Sequence, residues 1–334
     1  MDHFHARGAR GAGKAAGTAG RETPLRQSLR YEALRFPGCR RVSLSRAEFE
    51  DFDDRIEYWD ARTETAWVLA DKYGVHEGTS RRLPHLAERI ASVRGTPIVS
   101  YGSVTLLVRD EAGEPRRAME ADETLYLHPS RSATPRKSLV IGENDFPDVV
   151  LEVDYTTDVR PGKLLLYEAW GFPELWVIVP PEGGSPRRPA GVKIHRLQDG
   201  RYRSMPASGA FPGWTAGEIY DGMTEPTPSA ATYRVMERIG RTLGAREGTG
   251  PADDPLSSAL VAEGRLEGRA RELAAAAQSL LRVRDVAVSS TFPERAAALT
   301  DVSRDAVMAA AYACADEADF WDLLSVDSRD RMNS

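Results

Sequence analysis

The stretch Phe146–Tyr167 constrains the fold more than any other part of this chain. It reads Phe146-Pro-Asp-Val-Val-Leu-Glu-Val-Asp154, then a polar turn, then Pro161-Gly-Lys-Leu-Leu-Leu-Tyr167. Side chains in a strand alternate faces with a period of two. Asp148, Glu152 and Asp154 therefore share one face, and Val149, Leu151 and Val153 share the other. Carboxylates on the face of an otherwise apolar strand are costly unless a cation sits among them. A hard divalent ion takes carboxylate oxygens in this way. Lys163 follows on an expected helix that can carry it back over the same end of the sheet. Carboxylates and a lysine around a metal form a phosphodiester-cleaving arrangement. Acids also suit a strand end that meets water, and the local pattern leaves both readings open.

The chain has 334 residues, 41% hydrophobic and 28% charged, enough for one substantial domain and a smaller one. No run approaches the length of a transmembrane span, so no membrane partner is expected. The N-terminus lacks the apolar core of a secretory signal. Cys39 and Cys314 lie far apart without Cys or His neighbours. That argues against a disulfide or zinc framework, and a cytoplasmic location is expected. The net charge of -6 excludes a polycation that coats nucleic acid, so any DNA contact needs a local basic patch.

Residues 1–43 are rich in Gly, Ala and Arg and read as a disordered basic arm. Within it Gly8 to Lys14 fits GxxxxGK, but Ala15 stands where a P-loop needs Ser or Thr, and no strand precedes it. Ser45 and Glu48 form a capping box that opens a short helix. Ile56–Asp60 and Thr65–Leu69 read as a hairpin, and a helix is expected near Pro84. Residues 97–101 and 103–108 are strand-like, and Glu120–Leu127 reads as one strand carrying Asp122. Glu174–Val179 has a buried-strand pattern. Asp199-Gly200 is a hairpin turn signal between the last two strands. Residues 211–255 read as a linker with a short helix, and 256–330 as a helical tail for packing or oligomerisation.

Over residues 44–210 this order resembles the Uma2 (DUF820) family of endonucleases, a branch of the PD-(D/E)xK nuclease superfamily. Ser45–Phe49 resembles the family's opening helix. Glu57-Tyr-Trp-Asp60 is similar to its "YELIDG" hairpin, with Ala61 where Gly is usual. Ala121-Asp122 takes the place of its first Pro-Asp. Pro147–Val153 is similar to "PDLVVEV", Lys163–Tyr167 fits K-x-x-x-Y, and Gly171–Val177 is similar to "GVPEYWV". Asp154-Tyr-Thr-Thr-Asp158 departs from the family's "LSPST" turn and adds acids near the expected site.

The resemblance implies an α/β, restriction-endonuclease-like mixed sheet flanked by helices, with the helical extension outside it. It implies a Mg2+ (or Mn2+) dependent endonuclease acting on DNA. Asp122 and Glu152 would hold the metal and Lys163 would orient the attacking water, since Asp154 occupies the usual lysine position. Asp148 and Glu57 are auxiliary metal candidates. Arg116, Arg117, Arg131, Arg136 and Lys137 are candidates for phosphate contact. A homodimer is expected, because related nucleases pair to cut two strands. The competing expectation is a catalytically weak or inactive module that binds nucleic acid, or a protein partner through its helical tail.

Overall fold

The alternation in Val149–Val153 becomes a strand buried on both faces at the centre of a mixed sheet. A computed structural model describes residues 29–69, 78–132, 138–155, 157–297 and 302–332. The chain divides into two compact units, Met1–Gly250 and Pro251–Ser334.

The first unit contains two sheets rather than the single one expected. In one, the strand order is β1 (Cys39–Ser43), β3 (Thr65–Leu69), β2 (Ile56–Asp60), β6 (Pro115–Glu120), β5 (Thr105–Arg109), β8 (Ser138–Val140). In the other it is β12 (Arg201–Met205), β11 (Gly191–Gln198), β10 (Glu174–Val179), β9 (Val149–Val153), β7 (Glu123–Tyr126), β4 (Val99–Ser100). Both are mixed: β5 runs parallel to β8 and β9 parallel to β10, while the other pairings are antiparallel. The mixed α/β class therefore holds, with helices flanking the sheets.

The run Glu120–Leu127 is not one strand. Ala121 and Asp122 carry the chain from β6 in the first sheet to β7 in the second. Alternation continues through such a switch, so the pattern alone does not reveal it.

Period-two burial sorts the core into layers. Tyr58, Leu106, Val108 and Met119 of one sheet meet Val150, Leu175 and Val177 of the other. Leu166, Tyr167 and Trp170 of helix α3 (Lys163–Trp170) join this inner cluster. Val149, Leu151, Val153 and Trp176 face the opposite way. They pack on α2 (Arg82–Arg94), α4 (Ala216–Thr224) and α5 (Ala230–Glu247). On the far side of the first sheet, Trp59 and Val68 lie under Phe49 of α1 (Arg46–Phe49), which the Ser45–Glu48 capping box opens as expected. The hairpin turn at Asp199-Gly200 also forms, with both residues at positive φ.

Two boundaries differ from the sequence reading. Residues 31–43 are not part of a disordered arm: Leu34 and Phe36 are buried in the inner cluster and β1 pairs with β3. Phe36 stacks on Tyr58 with ring centroids 5.2 Å apart, an apolar anchor in a segment otherwise rich in arginine. The GxxxxGK stretch lies outside the described residues. Residues 211–247 are not a linker, because Phe211, Trp214, Ile219, Met236 and Ile239 are buried against the second sheet and α2. Buried Arg94 of α2 donates to both oxygens of Glu247 at 2.7 Å and to the Leu127 carbonyl at 2.7 Å, locking α5 to α2 and the end of β7.

The second unit is helical: α6 (Pro255–Val283), α7 (Phe292–Ala297), α8 (Arg304–Ala313) and α9 (Glu317–Met332). Ala274, Ala277 and Leu281 of α6 pack with Phe292, Val307 and Phe320 in a core of their own. Among the described residues no helix is long and apolar enough to cross a membrane.

Candidate active site

Glu152 sits in β9 and faces the inner cluster, where water cannot solvate a carboxylate. The chain supplies partners instead. Helix α3 begins at Lys163, whose ammonium donates to Glu152 Oε2 at 2.7 Å. One turn further, on the same helix face, the Tyr167 hydroxyl donates to Glu152 Oε1 at 2.5 Å. The K-x-x-x-Y spacing thus puts one donor on each oxygen of the same carboxylate.

Glu57 reaches the same ammonium from the other sheet, at 3.0 Å. Its placement depends on an irregular register. Ile56 pairs with Val68 and Tyr58 with Trp67, so Glu57 is an extra residue in β2, and bulges of this kind re-aim side chains. Ile56 and Trp59 face the outer layer while Tyr58 faces inward. Arg55 precedes β2 and donates to Glu57 Oε1 at 3.1 Å. Its guanidinium also pairs with Asp122. Asp122 in turn accepts from the Val153 backbone N–H, at 2.5 Å, which ties the sheet switch to the strand of Glu152. Glu120, half-buried at the end of β6, accepts from the Ile56 N–H at 3.4 Å.

The structure therefore gathers Asp122, Glu152, Lys163 and Glu57 in one buried network, with Arg55 linking Asp122 to the rest. Asp148 is elsewhere. It lies ~13 Å along the strand from Glu152, and its oxygens take Arg131 at 2.7 Å and the Leu127 N–H at 2.8 Å. Asp148 thus closes the loop onto the start of β9. The acids of the unusual turn are also engaged: Asp154 with Arg188 at 2.9 Å and Asp158 with Arg160 at 2.5 Å.

Protonation follows from these partners. Burial pushes the Lys163 ammonium down, but Glu152 and Glu57 outweigh it and hold the group above its ordinary value. Lys163 is therefore a fixed cation rather than a base. Burial raises Glu57, yet Lys163 and Arg55 together bring it below the usual carboxylate range. Glu152 goes the other way: burial raises it, the single cation Lys163 only partly offsets this, and Glu57 raises it again. Burial also raises Glu120. Within this network Glu152 and Glu120 are the carboxyls shifted toward the protonated form.

Among the described residues, no group of three or more His, Cys, Asp or Glu side chains is arranged to hold a metal ion. The carboxylates turn toward Arg55 and Lys163 instead of toward one another. The donor set still fits a hard divalent cation in kind, being all oxygen. It fits in charge as well. Glu57, Glu120, Asp122 and Glu152 are four carboxyl groups against the two fixed cations Arg55 and Lys163. When all are ionised two negative charges remain.

Sequence reasoning missed Arg55 and Glu120. Arg55 stands two residues before Glu57, the spacing of a shared strand face, and that was the available signal. Arg117, expected at phosphate, is instead buried 3.2 Å from Asp60 and lies over the Tyr31 ring. Arg136 and Lys137 lie outside the described residues.

Comparison with known proteins adds a structural likeness. A DUF820 protein from Anabaena variabilis ATCC 29413, described as a proposed nuclease, aligns with 59% of this chain and 99% of its own. The TM-score is 0.34 and the sequence identity 10%. No family model matches the chain, and no curated protein does. Residue roles accordingly rest on this chain's own geometry.

Proposed function

We propose that the protein is a metal-dependent nuclease that hydrolyses DNA phosphodiester bonds. The observation that supports this best is the Lys163 ammonium, held 2.7 Å from Glu152 and 3.0 Å from Glu57 among buried carboxylates. Asp122 and Glu152 would hold Mg2+ or Mn2+, with Glu57 as an auxiliary ligand. The bound ion would stabilise the charge that develops on phosphate and acidify water. Lys163, kept protonated by its carboxylates, orients the attacking water and neutralises the scissile phosphate. Tyr167 fixes the rotamer of Glu152 through the oxygen that Lys163 does not use. Arg35, Arg41 and Arg62 are better candidates for backbone phosphate than Arg117. They line a groove of about 410 Å³ with Tyr31 and Trp67, although Glu32 and Asp60 share it.

A second reading has its own observation. Glu152 and Lys163 are each only 2% exposed, and their charges are mutually satisfied. A polymer reaches them only if covering residues move. A fold retained for binding, with cleavage weak or absent, would tolerate that burial.

The deciding experiment titrates Mg2+ and Mn2+ against plasmid and single-stranded DNA, using wild type, Glu152→Ala and Lys163→Ala. Metal-dependent nicking by wild type alone supports the nuclease reading. Absence of cleavage, or cleavage by the variants at the wild-type rate, sinks it and leaves the binding module.

A further inference from the structure

Two cations are buried among the carboxylates, and they are tethered differently. Lys163 is the first residue of α3 and is 2% exposed. Arg55 immediately precedes β2, with its side chain 12% exposed against 1% for Asp122 and 4% for Glu57. Its backbone is fixed, since the Arg55 carbonyl accepts from the Leu69 N–H at 3.3 Å. Its side chain is the more solvent-exposed of the two cations, 12% against 2% for Lys163. A planar guanidinium presents its donors in a rigid fork suited to carboxylates, whereas an ammonium is a compact point charge. Arg55 uses this fork on Glu57 and Asp122, the second of which is a proposed metal ligand.

We propose that Arg55 is an internal counter-ion which holds Asp122 and Glu57 in place of a divalent cation, and that cation binding expels it toward solvent. This rests on the metal reading above. The protein would then fold without metal, with Arg55 offsetting part of the carboxylate charge, and its affinity for metal would be set low by competition. Arg55 and a divalent cation would compete for the same Asp122 and Glu57 carboxylates: a unit charge a few ångströms from a dication, even in a strongly screening interior, weakens its binding by an order of magnitude or more.

The test is an Mn2+ titration of the full-length, chelator-stripped protein, read by calorimetry and by thermal unfolding. Wild type is compared with Arg55→Gln, Arg55→Lys and Glu152→Gln. Arg55→Gln is expected to bind Mn2+ about tenfold tighter or more. It should melt below wild type without metal and gain more than wild type when Mn2+ is added. Arg55→Lys should tighten binding less, because it keeps the charge and loses only the planar fork. If Arg55→Gln is unfolded without metal, Mn2+ should restore its fold. If it folds under neither condition, Arg55→Lys decides, and wild-type affinity there overturns the proposal. Unchanged or weaker binding by Arg55→Gln, with binding lost in Glu152→Gln, overturns the counter-ion and leaves the metal reading standing. No Mn2+ response in wild type or either Arg55 variant overturns both.

Discussion

The Tyr167 hydroxyl and Glu152 Oε1 are 2.5 Å apart, inside the layer between the two sheets. The tyrosine stays protonated, because burial and the adjacent carboxylate both push its hydroxyl well above the ordinary value. It is therefore a donor at every pH of interest, and Glu152 is the group that titrates.

Tyr167→Phe removes that donor and adds no volume. A buried carboxylate oxygen left without its partner costs about 1–3 kcal/mol, to be read as a lower urea midpoint with unchanged slope. Glu152, already raised, should rise further, since the hydroxyl contact lowers it. On the nuclease reading Glu152 must be ionised, so the acid limb of the cleavage profile should move to higher pH. An unchanged midpoint and profile would show that the contact contributes nothing.

The pair Asp154–Arg188 gives a pH prediction that does not depend on cleavage. Burial raises Asp154 from 3.8 to about 6, Arg188 only partly opposing it. A carboxyl with a raised folded value holds its proton more tightly in the native state than in the unfolded one. Its contribution to stability is complete below about pH 3.8 and is lost as pH climbs through 6. The difference in unfolding free energy between wild type and Asp154→Asn should therefore shrink in favour of the variant between about pH 4 and 7, by a few kcal/mol at most, and stay level above. Glu152 changes in the same direction and Glu57 in the opposite one, but both are common to the two proteins and cancel in the difference. A difference that is flat across this range would place the Asp154 carboxyl in a solvated setting.

How far the sequence disclosed this arrangement depended on whether the signal was local. The strand of Glu152, the helix of Lys163 and the one-turn spacing to Tyr167 are contiguous in sequence, and periodicity places all three. The capping box at Ser45 and the turn at Asp199-Gly200 are local as well. Arg55, Glu57 and Glu120 enter from the other sheet, and the bulge in β2 breaks the alternation that would have aligned them. The switch at Ala121-Asp122 leaves alternation intact while moving the chain between sheets, so one strand reading covers two strands. Phe36 and Trp214 sit in glycine- and proline-bearing stretches whose composition suggests arm or linker. Tertiary burial of a single large aromatic group decides such segments, and composition averages it away.

Gly162 is where the N-terminal segment meets the proposed lysine. It immediately precedes α3, and the Arg35 N–H donates to the Pro161 carbonyl at 3.0 Å. A Cβ at Gly162 would stand 2.6 Å from the Arg35 carbonyl oxygen and 2.7 Å from the Phe36 ring. The first of these is backbone and cannot rotate away. The second belongs to a ring already stacked on Tyr58. Gly162→Ala must therefore push residues 35–36 off the start of α3 or shift the helix, and overpacking of this kind costs about 1–3 kcal/mol. The two outcomes are separable. If residues 35–36 give way, amide exchange should quicken at Arg35, whose bond to Pro161 breaks, while the coupling between Lys163 and Glu152 survives in a Lys163→Met, Glu152→Gln double-mutant cycle. If the helix shifts, Arg35 stays protected, the coupling falls, and on the nuclease reading cleavage falls with it. A variant as stable as wild type, with both readouts unmoved, would mean that the close approach of Arg35 and Phe36 to Gly162 does not exist in solution.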